Sequence, residues 1–138
     1  MLKHNKSIEA FQKKRNENLK KYGWVIDMVM GEDSHTHGLV ENMEHTDLQI
    51  ILNLQPELIQ YLMSEVVSRI KKGAKFKSKE RLAGILADPK MEIEFLEVMD
   101  VCRERKLLRI IIPDPQGNLD PKTMDEAYKV QFNAPDRN

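Results

Sequence analysis

The residues whose types and spacing could do chemistry lie in one histidine-rich segment, residues 34–45. His35 and His37 are two positions apart, so an extended backbone would project both rings from the same face. Two imidazoles on one face can share a metal ion or a phosphate group, because a neutral ring nitrogen is a ligand and a protonated ring is a cation. His45 follows further along the chain and could fold back beside this pair.

A metal site is one hypothesis for these histidines. Three histidines with an open coordination position are a catalytic zinc arrangement. The carboxylates that could complete such a shell are Asp33, Glu44 and Asp47. His-x-His also occurs by chance, and no second pair at metal-ligand spacing supports this one. The sequence therefore predicts no bound metal and no cofactor.

General acid–base catalysis is a second hypothesis, because the unperturbed pKa of histidine lies near neutrality. Two-histidine phosphoesterases repeat His-x-Thr or His-x-Ser, whereas Thr36 and Thr46 directly follow their histidines, and this spacing disfavours that family. The sequence also lacks the nucleophile elbow, the phosphate-binding loop and the glycine-rich dinucleotide turn. A histidine-dependent hydrolase acting on a phosphorylated or nucleotide substrate is thus the alternative, and a binding protein is favoured over an enzyme.

Length and composition limit the class of protein. The 138 residues, 41% hydrophobic and 32% charged, are typical of one globular domain. Acidic and basic residues number 22 each, so no overall positive field attracts a polyanion, and we expect no nucleic-acid partner. No apolar run approaches the length of a membrane span and the N-terminus is polar, which predicts a cytoplasmic protein with no membrane contact. The lone Cys102 excludes an internal disulfide and is interpreted as a small packed hydrophobe.

The elements that must position the histidines are predicted from hydrophobic periodicity. Alternating apolar residues indicate strands, and apolar residues with helical spacing, together with capping signals, indicate helices. The predicted strands are a strand starting at Gly23 and the segments 35–40, 48–54, 91–95 and 107–112, with a turn at Gly31-Glu32-Asp33-Ser34 and a polar bend at 41–46. The predicted helices are residues 7–21, a helix starting at Pro56 and ending before Gly73, residues 78–86 and residues 121–132.

This order of elements predicts an α+β fold. We expect a mainly antiparallel sheet of about five strands with helices packed on one face. Residues 22–138 would form the single α+β domain, and residues 1–21 a basic helical extension whose apolar stripe, Ile8, Phe11 and Leu19, is thin. Such an extension would dock weakly, on this domain or on a partner.

Three sequence blocks carry a resemblance to a known family. The blocks are Tyr22-Gly23-Trp24, then His35-Thr36-His37-Gly38-Leu39, then His45-Thr46-Asp47-Leu48 before a Pro-Glu-Leu helix. With the later Pro113-Asp114-Pro115-Gln116-Gly117 turn, they resemble the bacterial and phage family catalogued as domain of unknown function 4262, over about residues 22–131. The resemblance supports the fold and implies no established activity.

The resemblance also ranks the residues of the predicted site. It carries over Thr36, Gly38 and His45 from the first blocks and Asp114 from the last, whereas the family commonly has an apolar residue where this chain has His37. The chain departs from the pattern at Thr46, which replaces a usual proline, and at Met43-Glu44, which replaces an aromatic residue and glycine. A site built on Thr36, His45 and Asp114 is therefore favoured over the pair of histidines.

The leading hypothesis is a small non-enzymatic binding module that holds a small molecule or a protein partner, of the kind that phages and mobile elements use as accessory or anti-defence proteins. It would be a homo-oligomer with a cleft beside the polar side of segment 48–53. The predicted ligand-binding residues are His35, Thr36, His37, Gly38, His45 and Asp114. A structural role is the other interpretation, in which Thr36 and His45 bond to backbone groups and Gly38 supplies backbone freedom.

Overall fold

The computed structural model of the chain describes residues 2–29, 33–100 and 104–133. Its helices are α1 (Leu2–Tyr22), α2 (Leu39–Met43) and α3 (Pro56–Lys71), and a 3-10 helix follows at Glu126–Phe132. Its strands are β1 (Val25–Val29), β2 (Asp33–His37), β3 (Leu48–Ile50), β4 (Arg81–Ala83), β5 (Glu92–Asp100) and β6 (Arg105–Ile111). The sequence predictions at Met30, Gly31, Glu32 and Cys102 lie outside the described residues.

The strands form one mixed sheet in the order β1-β2-β3-β6-β5-β4. Every neighbouring pair is antiparallel except β3 and β6, which run parallel. The α+β class is confirmed, but the sheet has six strands where about five were expected, and it is only mostly antiparallel. The parallel pair arises because the chain leaves β3 through α3 and returns to its side only at β6, a crossover that parallel strands require.

The core lies between α3 and one face of the sheet. Pro56 stands in the first turn of the helix and Glu57 complements its positive N-terminal end, as predicted. The buried side chains of α3 are Ile59, Leu62, Met63, Val66, Val67 and Ile70. They pack with buried side chains of the three central strands, Leu48, Ile50, Phe95, Leu108 and Ile110. Burial of each such side chain contributes about 1.5–3 kcal/mol, so this layer is the main source of stability.

Several local predictions are wrong. The strand predicted at 48–54 ends at Ile50, and the predicted turn residues Asp33 and Ser34 belong to β2. The predicted strand at 35–40 ends at His37, and residues 39–43 of the predicted strand and bend form the short helix α2. The helix predicted at 78–86 is absent, since Arg81–Ala83 is an edge strand held by backbone bonds between Lys79 and Phe95 and between Phe95 and Glu80. The helix predicted at 121–132 is only the 3-10 helix. At 81–83, pairing with β5 overrides a weak local preference for helix.

The N-terminal helix is confirmed and is longer than expected. It lies against β1, and the salt bridge between Arg15 and Asp27 joins the two elements. Phe11 is 66% exposed, which agrees with the thin apolar stripe predicted for this helix. No helix within the described ranges is long and apolar enough to cross a membrane.

Candidate functional site

The first part of the site lies on the paired strands β1 and β2. Their antiparallel register places Asp27 directly opposite His35. Residues opposite each other project from the same face of a sheet, and so do residues two apart, so Asp27, His35 and His37 share one face. The same-face relation expected for the two histidines is thus present, with a carboxylate that sequence reasoning missed.

These three side chains form a compact cluster. One ligand atom from each lies within 4.8 Å of the other two. His37 Nε2 is 3.0 Å from Asp27 Oδ2, and the two imidazole rings meet edge to face with centroids 4.9 Å apart. The side chain of His35 is 3% exposed, whereas those of Asp27 and His37 are 28% and 31% exposed. The cluster therefore has a buried inner end and a solvent-facing outer end.

Arg15 of α1 neutralises the carboxylate of this cluster. Its Nε donates to Asp27 Oδ1 and its second terminal nitrogen donates to Oδ2, both at 2.9 Å. The hydrogen bond from Arg15 lowers the pKa of Asp27, although partial burial acts in the opposite direction. The same bond raises the pKa of Arg15. A fork-shaped guanidinium on a carboxylate fixes geometry as well as charge, so this pair attaches α1 to the sheet.

His37 is an uncharged imidazole at neutral pH. Partial burial lowers its pKa from the ordinary value of 6.5, and the positive charge of Arg105 lowers it further, although Asp27 acts in the opposite direction. A lowered pKa keeps a lone pair on one ring nitrogen at pH 7. The ring can therefore accept a proton or bind a metal ion there.

His35 is held from behind by a row of polar side chains that crosses the sheet. Its Nδ1 lies 3.2 Å from Asp33 Oδ2, and Gln49 Nε2 donates to the other oxygen of Asp33 at 3.1 Å. Arg109 Nε donates to Gln49 Oε1 at 2.9 Å, and Arg109 also donates to the backbone carbonyl of Gln131 at 2.7 Å. Gln49 is buried, so segment 48–53 does not offer the wet polar face that the sequence suggested.

Thr36 lies on the other face of β2 and is buried. Its hydroxyl donates to Asp47 Oδ1 at 2.7 Å and accepts from the backbone N–H of Leu48 at 2.9 Å. Asp47 also accepts from the backbone N–H of Leu39 and from Arg105. Burial raises the pKa of Asp47, against the effect of these donors. Thr36 and Asp47 therefore join β2, β3 and α2, and the proton of the Thr36 hydroxyl is already donated within the fold.

His45 is likewise engaged at both ring nitrogens. The carbonyl of Thr46 lies 2.7 Å from Nδ1, and the backbone N–H of Phe76 donates to Nε2 at 3.0 Å. A carbonyl only accepts, so the proton of the neutral ring is on Nδ1. The ring lies edge to face with Phe76, which stacks on Phe95 in the core. His45 is thus on the α3 side of the sheet, away from the cluster of Asp27, His35 and His37.

Gly38 is the joint between β2 and α2. Its φ of +106° lies in the left-handed region. An added Cβ would lie 2.4 Å from the carbonyl oxygen of Gly23 and 2.8 Å from Leu19 Cδ1. A side chain is excluded there because the end of α1 and the start of β1 pass directly over this residue.

Asp114 lies at the opposite end of the sheet. β3 and β6 run parallel, with Leu48 beside Leu108, so the start of β3 and the far end of β6 are separated by the strand length. Burial of the Asp114 carboxyl raises its pKa, but hydrogen bonds from Asn118, Asp125 and Gln116 outweigh burial and lower the pKa overall. The carboxylate closes the turn after β6 and does not meet the histidines.

The predicted ligand-binding residues therefore occupy separate places. His35 and His37 are together, Thr36 and His45 are hydrogen-bonded within the other side of the sheet, Gly38 is a backbone contact, and Asp114 is in a distant turn.

A groove of about 670 Å³ lies beside the cluster, between α1, β1 and α3. Asp27 and Arg15 lie at the junction of groove and cluster. The lining residues comprise aromatic, cationic, polar and apolar side chains: Phe11, Tyr22 and Trp24; Lys14, Arg15 and Lys71; Asn18, Gln60, Ser64 and Ser68; Val25, Ile26, Val67; and Asp27. A pocket of this size suits a small molecule.

Comparison with known families identifies the family of this chain. Residues 18–121 match the family described as Domain of unknown function (DUF4262). The chain belongs to this family. The match begins within α1, so most of that helix precedes the shared region. No curated protein and no solved structure matches the chain.

Proposed function

We propose that this protein is a small binding module whose ligand occupies the groove between α1, β1 and α3, and that the ligand is a small anion with a planar ring. The proposal rests on the charges and aromatic rings of the side chains that line the groove. Three cations, Lys14, Arg15 and Lys71, line it, and the acidic residue in the lining, Asp27, is already paired with Arg15. The net charge of the groove therefore favours an anionic group.

The aromatic side chains of the groove support the planar part of the ligand. Tyr22 is 50% exposed and Phe11 is 66% exposed. Trp24 contributes a third ring to the lining. Rings stack on planar ligands with a contribution of about 1–3 kcal/mol per ring. A nucleotide or an aromatic carboxylate combines the two features that the groove can recognise.

This proposal keeps the binding-module hypothesis and moves its site. Thr36 and His45 have their polar atoms engaged within the fold, so a ligand held by them would have to replace existing hydrogen bonds. The groove needs no such replacement. The accessory or anti-defence role, the cytoplasmic location and self-association stay predictions.

Ligand binding is tested by thermal unfolding and calorimetry with nucleoside 5′-monophosphates and aromatic carboxylates, each compared with its uncharged counterpart. We expect an anionic member to raise the melting temperature, because a ligand at 100 times its Kd stabilises the folded state by about 2.7 kcal/mol. Equal effects of charged and uncharged compounds, or no effect of any compound at millimolar concentration, would refute the proposal.

Two pairs of neighbouring lysines provide matched controls. Lys71→Glu reverses a charge in the groove, and Lys72→Glu reverses the adjacent charge outside its lining. Lys14→Glu and Lys13→Glu form the same comparison on α1. We expect only the groove variants to lose affinity. Native mass spectrometry on the same samples reports whether a second copy occupies the groove instead of the ligand.

Hydrolysis is the second candidate, and the partly exposed neutral imidazole of His37 favours it. A base in this position, next to a groove for an anion, could activate water toward a phosphoester. A phosphodiesterase panel with the wild-type chain and His37→Ala would decide. Turnover that persists unchanged in His37→Ala would exclude this mechanism.

A further inference from the structure

We propose that Asp27, His35 and His37 form a binding site for one divalent transition-metal ion, with Zn²⁺ as the reference metal. Two imidazole nitrogens and one carboxylate oxygen are a ligand set that zinc and the neighbouring first-row ions accept. The proposal does not depend on the ligand of the groove.

The spacing of the ligand atoms fits one ion with small side-chain adjustments. Two atoms at about 2.1 Å from an ion are about 3.0 Å apart at a right angle and about 3.4 Å apart at the tetrahedral angle. His37 Nε2 and Asp27 Oδ2 are already 3.0 Å apart. All three ligand atoms lie within 4.8 Å of one another. A ring rotation that moves one nitrogen by roughly an ångström would bring all three within bonding distance of one ion. Paired strands supply all three residues, which makes the frame rigid.

A carboxylate behind His35 gives the second, independent observation. Metal-bound histidines usually donate their other ring N–H to a carboxylate, which fixes the tautomer and makes the ligand nitrogen more basic. Asp33 Oδ2 stands 3.2 Å from His35 Nδ1 in this role. Gln49 donates to Asp33 and Arg109 donates to Gln49, so the carboxylate is itself held in place. This arrangement puts the proton on Nδ1 and the lone pair on Nε2.

The burial of the cluster allows an ion to enter and to keep a water ligand. His35 is at the closed end, and Asp27 and His37 are roughly one-third exposed at the open end. Three protein ligands leave at least one position for water, as in sites that bind or activate a substrate. Asp27 also lines the groove, so the proposed metal site and the groove adjoin.

Arg15 is the cation with which the ion must compete. Its guanidinium contacts both oxygens of Asp27, so it balances the carboxylate charge in the metal-free protein. An ion that takes Asp27 Oδ2 weakens this pair and the attachment of α1 to the sheet. Removal of the Arg15 charge should therefore increase metal affinity, by about 5-fold or more if the pair contributes about 1 kcal/mol.

The test is titration of the metal-free full chain with Zn²⁺ by calorimetry and with Co²⁺ by visible absorption. We expect one ion per chain. His37→Gln and Asp27→Asn should each weaken binding about 100-fold or more, and Asp33→Asn about 10- to 100-fold. Arg15→Met should tighten binding. His35 is left unchanged because its ring is buried.

His4 in the first turn of α1 provides the matched control, since it is eleven residues from Arg15, or about 16 Å along a helix. His4→Ala should leave affinity and the Co²⁺ spectrum unchanged. Circular dichroism of every variant confirms that it is folded. Binding that survives both His37→Gln and Asp27→Asn, or an unchanged or weaker affinity in Arg15→Met, would overturn the proposal. Failure of the groove ligands with this pattern intact would refute only the binding-module proposal.

Discussion

The two faces of β2 use the same sequence segment for different purposes. On one face, His37 and Asp27 are partly exposed, and the contacts shown for His37 are the carboxylate of Asp27 and the ring of His35. On the other face, Thr36 is buried and its hydroxyl both donates and accepts a hydrogen bond. An offset of one residue along the strand therefore separates a partly exposed polar side chain, His37, from a buried one, Thr36.

This difference teaches how to interpret a cluster of polar residues in a sequence. A polar side chain is available for chemistry only if the fold leaves its donors and acceptors unused, and alternation along a strand sends neighbouring residues into different environments. His45 illustrates the point, because both its nitrogens bond to backbone groups. The variants below separate structural from available residues.

The largest effect is expected at the joint between the two faces. Gly38→Ala should destabilise the protein by about 3 kcal/mol or more, because it combines left-handed backbone strain with a clash against the backbone of Gly23. Gly73→Ala is the matched control, since Gly73 has nearly the same φ, +107°, and nothing within 4 Å of an added Cβ. It should cost about 1 kcal/mol. Equal losses in urea denaturation would contradict the close contact at Gly38.

The next effect concerns the buried face. Thr36→Val keeps the shape of the side chain and removes its hydroxyl, so Asp47 loses a donor and the N–H of Leu48 loses its acceptor. We expect a loss of about 2–3 kcal/mol in the free energy of unfolding. Thr123→Val changes an exposed threonine and should cost less than about 0.5 kcal/mol. A loss at Thr36 no larger than this would refute its structural role.

Replacing His45 and replacing His37 compares a histidine that is hydrogen-bonded within the fold with one that is partly exposed. His45→Ala should cost about 1–2 kcal/mol, because the partly buried N–H of Phe76 loses its acceptor. His37→Ala removes a ring at the partly exposed end of the cluster and should cost less than about 0.5 kcal/mol. Thermal unfolding at pH 7 without added metal measures both. If His37→Ala proved the more damaging, the assignment of the two faces would be reversed.

A further small effect is a dependence of stability on acid. The Asp27 pKa is lowered in the folded state, so the stability it contributes is present above the unfolded pKa near 4 and is lost as the pH falls through the folded pKa. The contribution is about 0.5–1 kcal/mol because the pair with Arg15 is partly exposed. Asp27→Asn should remove this loss of stability on the acid side of the unfolded pKa. If stability depended on pH in the same way in the wild type and in Asp27→Asn, the pair of Arg15 and Asp27 would add nothing to the free energy of unfolding.

Local sequence signals were sufficient to predict the elements whose first and last residues are marked by proline, glycine or an apolar pattern. Pro56 and the apolar stripe predicted α3, and its end before Gly73, correctly. The strand from 107 was also correct, and it extends two residues earlier, to Arg105. The helix predicted at 78–86 failed because β4 depends on its pairing with β5, which no local pattern reveals.

The candidate site was only half predictable. The spacing of His35 and His37 was enough to place them on one face, but Asp27 stood as a lone polar residue in an apolar strand. The predicted turn at Gly31-Glu32-Asp33-Ser34 was a signal that the two flanking segments could pair, and the antiparallel register of β1 and β2 places Asp27 opposite His35. Arg15 had no signal, because its contact depends on where α1 lies against the sheet.

The sequence by itself determined the α+β class, the helix α3 and the direction of alternate side chains, because these depend on periodicity and capping within a few residues. The tertiary structure alone decided the parallel pairing of β3 with β6, the burial of Gln49 and Arg109, and the separation of His45 and Asp114 from the histidine pair. Those outcomes depend on contacts between segments far apart in the chain. Only such contacts determine which polar atoms are bonded within the fold and which stay available to an ion or a ligand.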